Sequence, residues 1–208
     1  MTNAPALTLY HHPHSRSAGV RVLLEELGAD YRVEVVDLQA GDQRRPEFLA
    51  LNPLGKIPTL VDGDTIVTEQ VAIYLHLADR FPAAGLAPAI GDPARGSYLR
   101  WMVFYAACFE PAVVDRSLKR EPAQASTSPY RDFDTMLAAL EAQIGRGPWV
   151  LGERFSAADV LWGTALSWTI RFGLVPESPV FSQYIERARA RPAFKRAAEL
   201  DAVLLATA

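Results

Sequence analysis

The 208-residue sequence predicts an α/β domain followed by an all-α domain. Short β-prone segments alternate with helical patterns over the first eighty residues, whereas only helical periodicity remains after residue 93. Between them, residues 82–93 hold three prolines and two glycines in twelve positions, which is typical of a linker. We therefore assign residues 1–81 to the first domain, 82–92 to the linker and 93–208 to the second domain.

The first domain begins with a strand, a helix and a second strand. Residues 6–10 (ALTLY) are β-prone, and from Ser15 to Leu27 apolar side chains recur at three- and four-residue spacing, which predicts a helix with one apolar face. Gly28 suits the end of that helix because glycine tolerates a left-handed backbone conformation. Polar and apolar residues alternate over 31–35, which predicts a half-buried strand.

A short helix, a hairpin and a longer helix complete the first domain. Residues 46–51 (PEFLAL) open with a proline, which is favoured in the first turn of a helix. Asp62-Gly63 between two β-prone segments predicts a tight hairpin. Helical periodicity from Glu69 to Arg80 predicts the last helix, so the expected order is β-α-β-α-β-β-α.

The second domain is expected to be helical throughout. Ser156–Asp159 predicts a capping box, in which the serine hydroxyl and the aspartate carboxylate each bond the other residue's backbone N–H. Phe155 and Val160 flank this motif as a hydrophobic staple. The predicted helices cover residues 93–118 with a break at Pro111, 129–144, 157–172, 181–190 and 193–204.

Composition excludes several classes of protein. Half of the residues are hydrophobic, which excludes wholesale disorder, and a net charge of −3 gives no reason to expect nucleic acid as a partner. The single cysteine, Cys108, cannot form an internal disulfide, a CxxC redox pair or a cysteine zinc site. Met1–Leu9 lacks the features of a secretory signal, and the longest apolar stretch, 160–175, is shorter than the ~20 residues of a membrane span. We therefore expect a cytoplasmic protein that does not bind membranes.

The turn between the first strand and the first helix is a candidate site. His11, His12 and His14 lie here, but no cluster of acids or cysteines completes a metal shell, so we predict no metal site. Ser15 and Ser17 fall at the helix N-terminus, where free N–H groups and the helix dipole stabilise an anion such as a thiolate. From this local pattern alone, a serine that only caps the helix is the alternative interpretation.

Two further motifs indicate binding of a small peptide-like molecule. In the loop 52–61 (NPLGKIPTLV), a cis Ile57–Pro58 bond would turn the main-chain groups of Ile57 outward to pair with an extended peptide. A trans proline at a sheet edge is the alternative. Glu69 can simply complement a helix dipole, or it can bind an ammonium group while Gln70 binds a carboxylate, which together describe an α-amino acid head group.

Taken in order, these motifs resemble the bacterial-type cytosolic glutathione transferases over nearly the whole chain. NPLGKIPTL resembles the family's cis-proline loop, TEQVAIYLHLAD its acidic helix opening, GDQRRPEFLALNP its second-helix region and FSAADV its capping box. The resemblance implies a thioredoxin-like N-terminal domain that binds glutathione as co-substrate, and an all-α C-terminal domain that contributes the electrophile site. It also implies a homodimer and a role in detoxification.

The resemblance assigns two parts of glutathione to residues of this sequence. It implies that the main chain of Ile57, next to Pro58, binds the cysteinyl unit. It implies that Glu69 and Gln70 hold the γ-glutamyl head group, although Gln70 stands where the family usually has serine. The longer amide of Gln70 still donates to a carboxylate but changes the geometry.

The third part of glutathione is its glycyl carboxylate. The resemblance implies that Gln43 in the second-helix region and Lys56 in the proline loop match the positions that commonly reach it. Arg44 and Arg45 are neighbours with the right charge, and nothing in the sequence selects them.

The residue that activates the thiol is the least determined position. In many classes of the family a serine, cysteine or tyrosine at the first strand–helix turn does so. The resemblance favours Ser15, because its hydroxyl can donate to a thiolate at the helix terminus. His14 is second and Ser17 third, and Tyr10 would match only the tyrosine-type classes.

The implied activity is that of a glutathione S-transferase, whose thiolate attacks a hydrophobic electrophilic small molecule. The alternatives are another glutathione-dependent enzyme on this scaffold (an isomerase, peroxidase, disulfide reductase or ether-cleaving enzyme) and a non-catalytic binding or regulatory protein. The electrophile is expected near helix 93–118, whose aromatic run can instead serve core and dimer packing. That run comprises Trp101, Phe104, Tyr105, Cys108 and Phe109.

Overall fold

The computed structural model describes residues 7–121 and 123–207, and their contacts divide the chain into two compact units. Unit 1 is Met1–Ala84 together with Arg191–Ala208, and unit 2 is Gly85–Ala190. The predicted fold class, an α/β part followed by a helical part, is confirmed. The predicted strand over 6–10 begins at Ala6, which lies outside the described residues.

The strands and helices follow closely the order that the sequence predicts. The strands are β1 (Leu7–His11), β2 (Tyr31–Val35), β3 (Thr59–Asp62) and β4 (Thr65–Val67). The helices are α1 (Ser17–Leu27), α2 (Pro46–Leu49), α3 (Gln70–Arg80), α4 (Arg95–Phe104), α5 (Glu110–Ser117), α6 (Phe133–Ile144), α7 (Ala157–Arg171), α8 (Pro179–Arg189) and α9 (Pro192–Thr207). Two 3₁₀ turns lie at Asp42–Arg44 and Pro82–Ala84, and a π-helical turn lies at Tyr105–Phe109.

The sheet of unit 1 has the order β2-β1-β3-β4. β1 runs parallel to β2 and antiparallel to β3, and β3 pairs antiparallel with β4 through the predicted hairpin at Gly63. Leu9 and Leu60, which face each other across β1 and β3, are fully buried. The apolar faces of α1 and α3 are buried as well, because amphipathic helices must cover a sheet of this kind.

The last helix belongs to unit 1 by its contacts. The sequence assigns this helix to the second domain, whereas in the structure α9 packs along α1. Ala193, Phe194 and Ala197 are buried on its inner face. The periodicity of a helix predicts that one face is covered, but it carries no information about which element covers that face.

Three ion pairs join α9 and the residue preceding it to α1. The Arg191 guanidinium forms a bidentate pair with Glu26 at 2.6 and 2.7 Å. Arg196 bonds Glu25 at 3.1 Å. The third pair, between Arg21 and Asp201, is mostly buried and is described with the candidate site.

Unit 2 contains an interrupted helix where the sequence predicts a break at Pro111. The irregularity lies just before that proline, as a π-helical turn at Tyr105–Phe109, and Pro111 itself sits in the first turn of α5. A proline removes one helical hydrogen bond and crowds the carbonyl four residues earlier, here that of Ala107. Widening of the preceding turn relieves this crowding, so the helix bulges instead of ending.

The aromatic run of this helix forms the core of unit 2. Trp101, Tyr105 and Phe109 are buried and pack edge-on against Trp162 of α7, with ring centroids 5.1–6.4 Å apart. Such pairs contribute about 0.5–1.5 kcal/mol each beyond their buried area. Packing therefore accounts for these three side chains.

The predicted capping box at the start of α7 is present. The Asp159 carboxylate is fully buried and accepts bonds from the N–H groups of Ser156 (2.8 Å) and Val150 (2.7 Å). It also accepts bonds from the hydroxyls of Ser156 and Tyr184. Burial raises the pKa of Asp159 to about 6, while these four donors oppose the increase by favouring the charged form.

Replacement of Asp159 is expected to destabilise the protein strongly. Asp159→Ala leaves two buried N–H groups and a buried tyrosine hydroxyl without their acceptor, and each unsatisfied group costs about 1–3 kcal/mol. We expect the free energy of unfolding in urea to fall by ~3 kcal/mol or more. Glu153→Ala removes a nearby exposed carboxylate and is expected to change it by less than ~0.5 kcal/mol. Equal effects of the two changes would contradict this role.

Candidate active site

The turn between β1 and α1 is built around the hydroxyl of Ser15. α1 begins at Ser17, two residues after the predicted start, so Ser15 lies in the turn itself. The half-buried Ser15 Oγ accepts the Ser17 N–H at 3.1 Å and lies 2.9 Å from the His12 carbonyl and 2.7 Å from Ser17 Oγ. Ser15 thus both caps the first N–H of α1 and keeps a hydroxyl near the surface.

The other predicted thiol-activating residues are placed differently. Ser17 is fully buried, and His14 is exposed with its N–H bonded to the His12 ring at 3.1 Å. Tyr10, half-buried in β1, packs edge-on against Phe48 with ring centroids 5.6 Å apart. Burial is the main cause that lowers the pKa of His12, and the neighbouring histidines add to the decrease.

The buried hydroxyl of Ser17 is surrounded by polar partners. Ser17 Oγ lies 2.8 Å from His11 Nδ1 and 3.2 Å from the His12 carbonyl, and it accepts the His12 N–H at 3.0 Å. On the other side of the ring, His11 Nε2 lies 3.0 Å from Asp201 Oδ1 of α9. The same carboxylate oxygen accepts a bond from Arg21 of α1 at 2.5 Å.

The proline loop presents an unoccupied peptide edge. The Ile57–Pro58 bond is cis, as the resemblance implied. Within residues 7–121 and 123–207, no hydrogen bond occupies the main-chain N–H or carbonyl of Ile57. These two groups are therefore available to an extended peptide.

Asn52 shapes this loop, and the sequence analysis did not identify it. Its buried amide donates to the Lys56 carbonyl at 2.8 Å and to Thr59 Oγ1 at 3.3 Å, and its carbonyl oxygen accepts the Leu54 N–H at 3.0 Å. The asparagine–proline pair that opens the loop is a known turn signal and would have indicated this role. Asn52 thereby fixes the peptide plane that leads into Ile57.

Gly55 brings the loop against the second-helix region. Its φ of +59° favours glycine, and an added Cβ would lie only 2.9 Å from the Gln43 carbonyl. The structure therefore places Gln43 beside the loop that carries the exposed Lys56. Arg45 pairs with Asp42 at 2.8 Å, and the Arg44 guanidinium packs against Gly41.

Glu69 adopts an unusual backbone conformation at the start of α3. Its φ is +65°, although glutamate rarely occupies this region, and its side chain is exposed. Such outliers cluster at functional sites. The next residue, Gln70, begins α3 and donates its side-chain amide to the Arg16 carbonyl at 3.3 Å, which ties this helix to the Ser15 turn.

The comparisons with known proteins agree with this architecture. Residues 5–79 match the model of the glutathione S-transferase N-terminal domain, and residues 124–199 match that of the C-terminal domain. The chain belongs to the glutathione S-transferase family.

Proteins similar to this chain carry names of different activities. Glutathione S-transferase 3 of Zea mays is 31% identical over 206 residues, which cover 91% of this chain and 92% of the relative. Disulfide-bond oxidoreductase YfcG of Escherichia coli (strain K12) is 30% identical over 201 residues, which cover 90% and 92%. A solved sphingomonad glutathione S-transferase complexed with glutathione is 31% identical, with a TM-score of 0.78 and coverage of 94% of this chain and 98% of that one.

Cys108 is not part of the candidate site in unit 1. It lies in the π-helical turn of unit 2 and donates to the Pro129 carbonyl at 3.3 Å. Burial raises the pKa of its thiol, which disfavours a reactive thiolate.

In the part of the chain that the structure describes, no group of three His, Cys, Asp or Glu side chains could hold a metal ion. Over the same residues, every helix is too short or too polar to cross a membrane.

Gly55→Ala is expected to destabilise unit 1 more than a matched glycine change does. Gly63 has nearly the same φ, +57°, but open space where its Cβ would lie. Alanine at either position incurs the ~1–2 kcal/mol cost of the left-handed conformation. Gly55→Ala adds a clash with the Gln43 carbonyl that costs a further ~1–3 kcal/mol. Urea unfolding measures the free energy of unfolding of both variants. If Gly55→Ala and Gly63→Ala lower it equally, the proline loop can move away from the Gln43 carbonyl.

Proposed function

We propose that this protein binds glutathione in unit 1 and activates its thiol as a thiolate for attack on an electrophilic small molecule. The observation that carries the proposal is the unoccupied peptide edge of Ile57 beside the cis proline, in the same unit as the Ser15 turn. The family membership and the glutathione complex of a similar structure support it.

The head group of glutathione is assigned to the start of α3. Its ammonium pairs with the exposed Glu69, whose positive φ marks the turn into the helix. Its carboxylate binds at the N-terminus of α3, where the positive end of the helix dipole attracts an anion. The Gln70 side chain holds this helix end against the Arg16 carbonyl, so the site is preformed before glutathione arrives.

The remaining parts of glutathione are assigned to the loop and the second-helix region. The cysteinyl unit pairs with the main chain of Ile57 as a short strand would. Its glycyl carboxylate extends toward the exposed side chain of Lys56, whose positive charge suits it. Gln43, whose main-chain carbonyl lies beside this loop, contributes the second hydrogen of a side-chain amide that already donates to the Leu38 carbonyl at 3.4 Å. Arg45 is engaged with Asp42.

Ser15 is the residue proposed to stabilise the thiolate. A free thiol has a pKa of about 8.5, and a hydrogen bond to the charged form together with a helix N-terminus lowers it. Ser15 is half-buried and its hydroxyl lies in the turn. Ser17 is fully buried, so the Ser17 hydroxyl has no route to a bound thiol. His14 is exposed and remains the alternative donor.

Disulfide exchange is the second candidate activity. It is favoured by the similarity to a disulfide-bond oxidoreductase. A mixed disulfide with the protein would need a cysteine at the turn, where this chain has serine. Reduction of a disulfide by bound glutathione alone remains compatible with a serine.

Three further expectations from the sequence stay predictions: that the electrophile is hydrophobic, that the protein is a homodimer and that it is cytoplasmic.

Ser15→Ala is expected to raise the pKa of the bound glutathione thiol by ~1 unit, because the thiolate loses its hydroxyl donor. Thiolate absorbance in the ultraviolet, followed across pH with saturating glutathione, measures this shift. Turnover of a model aryl halide at neutral pH should fall roughly tenfold. His14→Ala is the matched comparison and should change neither quantity. The reverse pattern would reassign the role to His14.

Glu69→Gln is expected to weaken glutathione binding without changing the thiol pKa. Loss of a charge-assisted bond to the ammonium group costs about 1.5–3 kcal/mol, or roughly 10–150-fold in Kd. Calorimetric titration with glutathione measures the change. Glu47→Gln, an exposed glutamate in the first turn of α2, is the control and should bind normally. Unchanged affinity of Glu69→Gln would contradict the head-group assignment.

A further inference from the structure

We propose that His11 is the base that accepts the thiol proton of glutathione, through a chain of two serine hydroxyls, and that Asp201 holds it in place. This inference rests on the proposed function, because it concerns how the same site forms the thiolate. The chain runs from Ser15 to Ser17 (2.7 Å), from Ser17 to His11 Nδ1 (2.8 Å) and from His11 Nε2 to Asp201 (3.0 Å).

The carboxylate determines how His11 is protonated. An ionised carboxylate only accepts hydrogen bonds, so the ring proton of a neutral His11 lies on Nε2, facing Asp201. Nδ1 then carries a lone pair and accepts the hydroxyl hydrogen of Ser17. An aspartate that orients a buried histidine, with the other ring nitrogen facing a serine, is the arrangement of a general base.

Each proton moves by one hydrogen bond when the thiolate forms. The thiol proton moves to Ser15 Oγ, the Ser15 hydrogen moves to Ser17 Oγ, and the Ser17 hydrogen moves to Nδ1 of His11. The products are a thiolate, two neutral hydroxyls and an imidazolium. The imidazolium donates to Asp201 and to Ser17, Ser17 donates to Ser15, and Ser15 donates to the thiolate. The final state therefore supplies the donor that stabilises the thiolate.

The surroundings of His11 suit a buried base. The ring is fully buried, and α9 contributes Asp201, which neutralises the imidazolium that forms. From α1, Arg21 forms an ion pair with the same carboxylate oxygen at 2.5 Å. Arg21 also donates to the Tyr31 hydroxyl, which in turn donates to Glu25 at 2.7 Å.

The remaining titratable groups lie on the turn side of the ring. His12, His14 and Asp37 interact there, and burial lowers the pKa of His12, which disfavours a positive charge on that neighbouring ring. Ser17 and the His11 ring are fully buried, so on the turn side the proton reaches His11 through Ser15.

The test compares the protons released with the thiolate formed when glutathione binds. Calorimetric titration in buffers of different ionisation enthalpy gives the protons released per bound glutathione, and ultraviolet absorbance gives the thiolate formed. Transfer to His11 retains the proton, so the wild-type protein should release far less than one proton per thiolate. If the thiol proton is instead lost directly to solvent, one proton is released per thiolate formed.

Two variants break the chain at different points. Ser17→Ala removes the link between Ser15 and His11, and Asp201→Asn removes the charge that holds the imidazolium. Both should raise the release to one proton per thiolate and raise the bound thiol's pKa by roughly 0.5–1 unit. Glu199→Gln removes an exposed carboxylate two residues before Asp201 in α9 and should behave as wild type. Urea unfolding verifies that each variant is folded.

The outcomes separate the relay from the proposed function. One proton released per thiolate in the wild-type protein would overturn the relay and leave thiol activation intact. If Ser17→Ala releases as few protons per thiolate as the wild-type protein and leaves the pKa of the bound thiol unchanged, the relay is overturned as well. Glutathione that binds without any thiolate, or does not bind, would instead contradict the proposed function itself.

Discussion

The carboxylate of Asp201 is the interaction on which unit 1 depends. It lies on the last helix, yet it joins the end of β1 through His11 and the middle of α1 through Arg21. Removing charged groups from water is costly unless each finds a partner, so this cluster is stable only when all three elements are in place. The ion pairs of Arg191 and Arg196 with α1 align the helix along the same surface.

This constraint reaches the surface of the protein through Ser17. Its buried hydroxyl is fixed between His11 and the His12 main chain, and this arrangement in turn positions Ser15 in the turn before α1. A similar arrangement is found at the proline loop. There the buried Asn52 fixes the Lys56 carbonyl and leaves the Ile57 main chain unoccupied. In both places a buried polar residue orders a neighbour that faces outward.

Much of the fold could be predicted because it follows from local chemistry. Alternation predicted β2, apolar spacing predicted α1 and α3, and the Asp62-Gly63 pair predicted the hairpin. The capping box at Ser156 is equally local, since both partners lie within one helical turn. One boundary differs from the prediction. α1 begins at Ser17 instead of Ser15, and Ser15 stays in the turn, where its hydroxyl accepts the Ser17 N–H.

The sequence by itself determined the family, the order of the elements and the positions expected to meet glutathione, because these are written in short motifs with fixed spacing. Only the tertiary structure decided which serine lies buried, which glutamate takes a positive φ and which residue faces the ring of His11. Asp201 is 190 residues away from His11 along the chain. No pattern in the sequence links them, because the contact arises from the packing of α9 against α1.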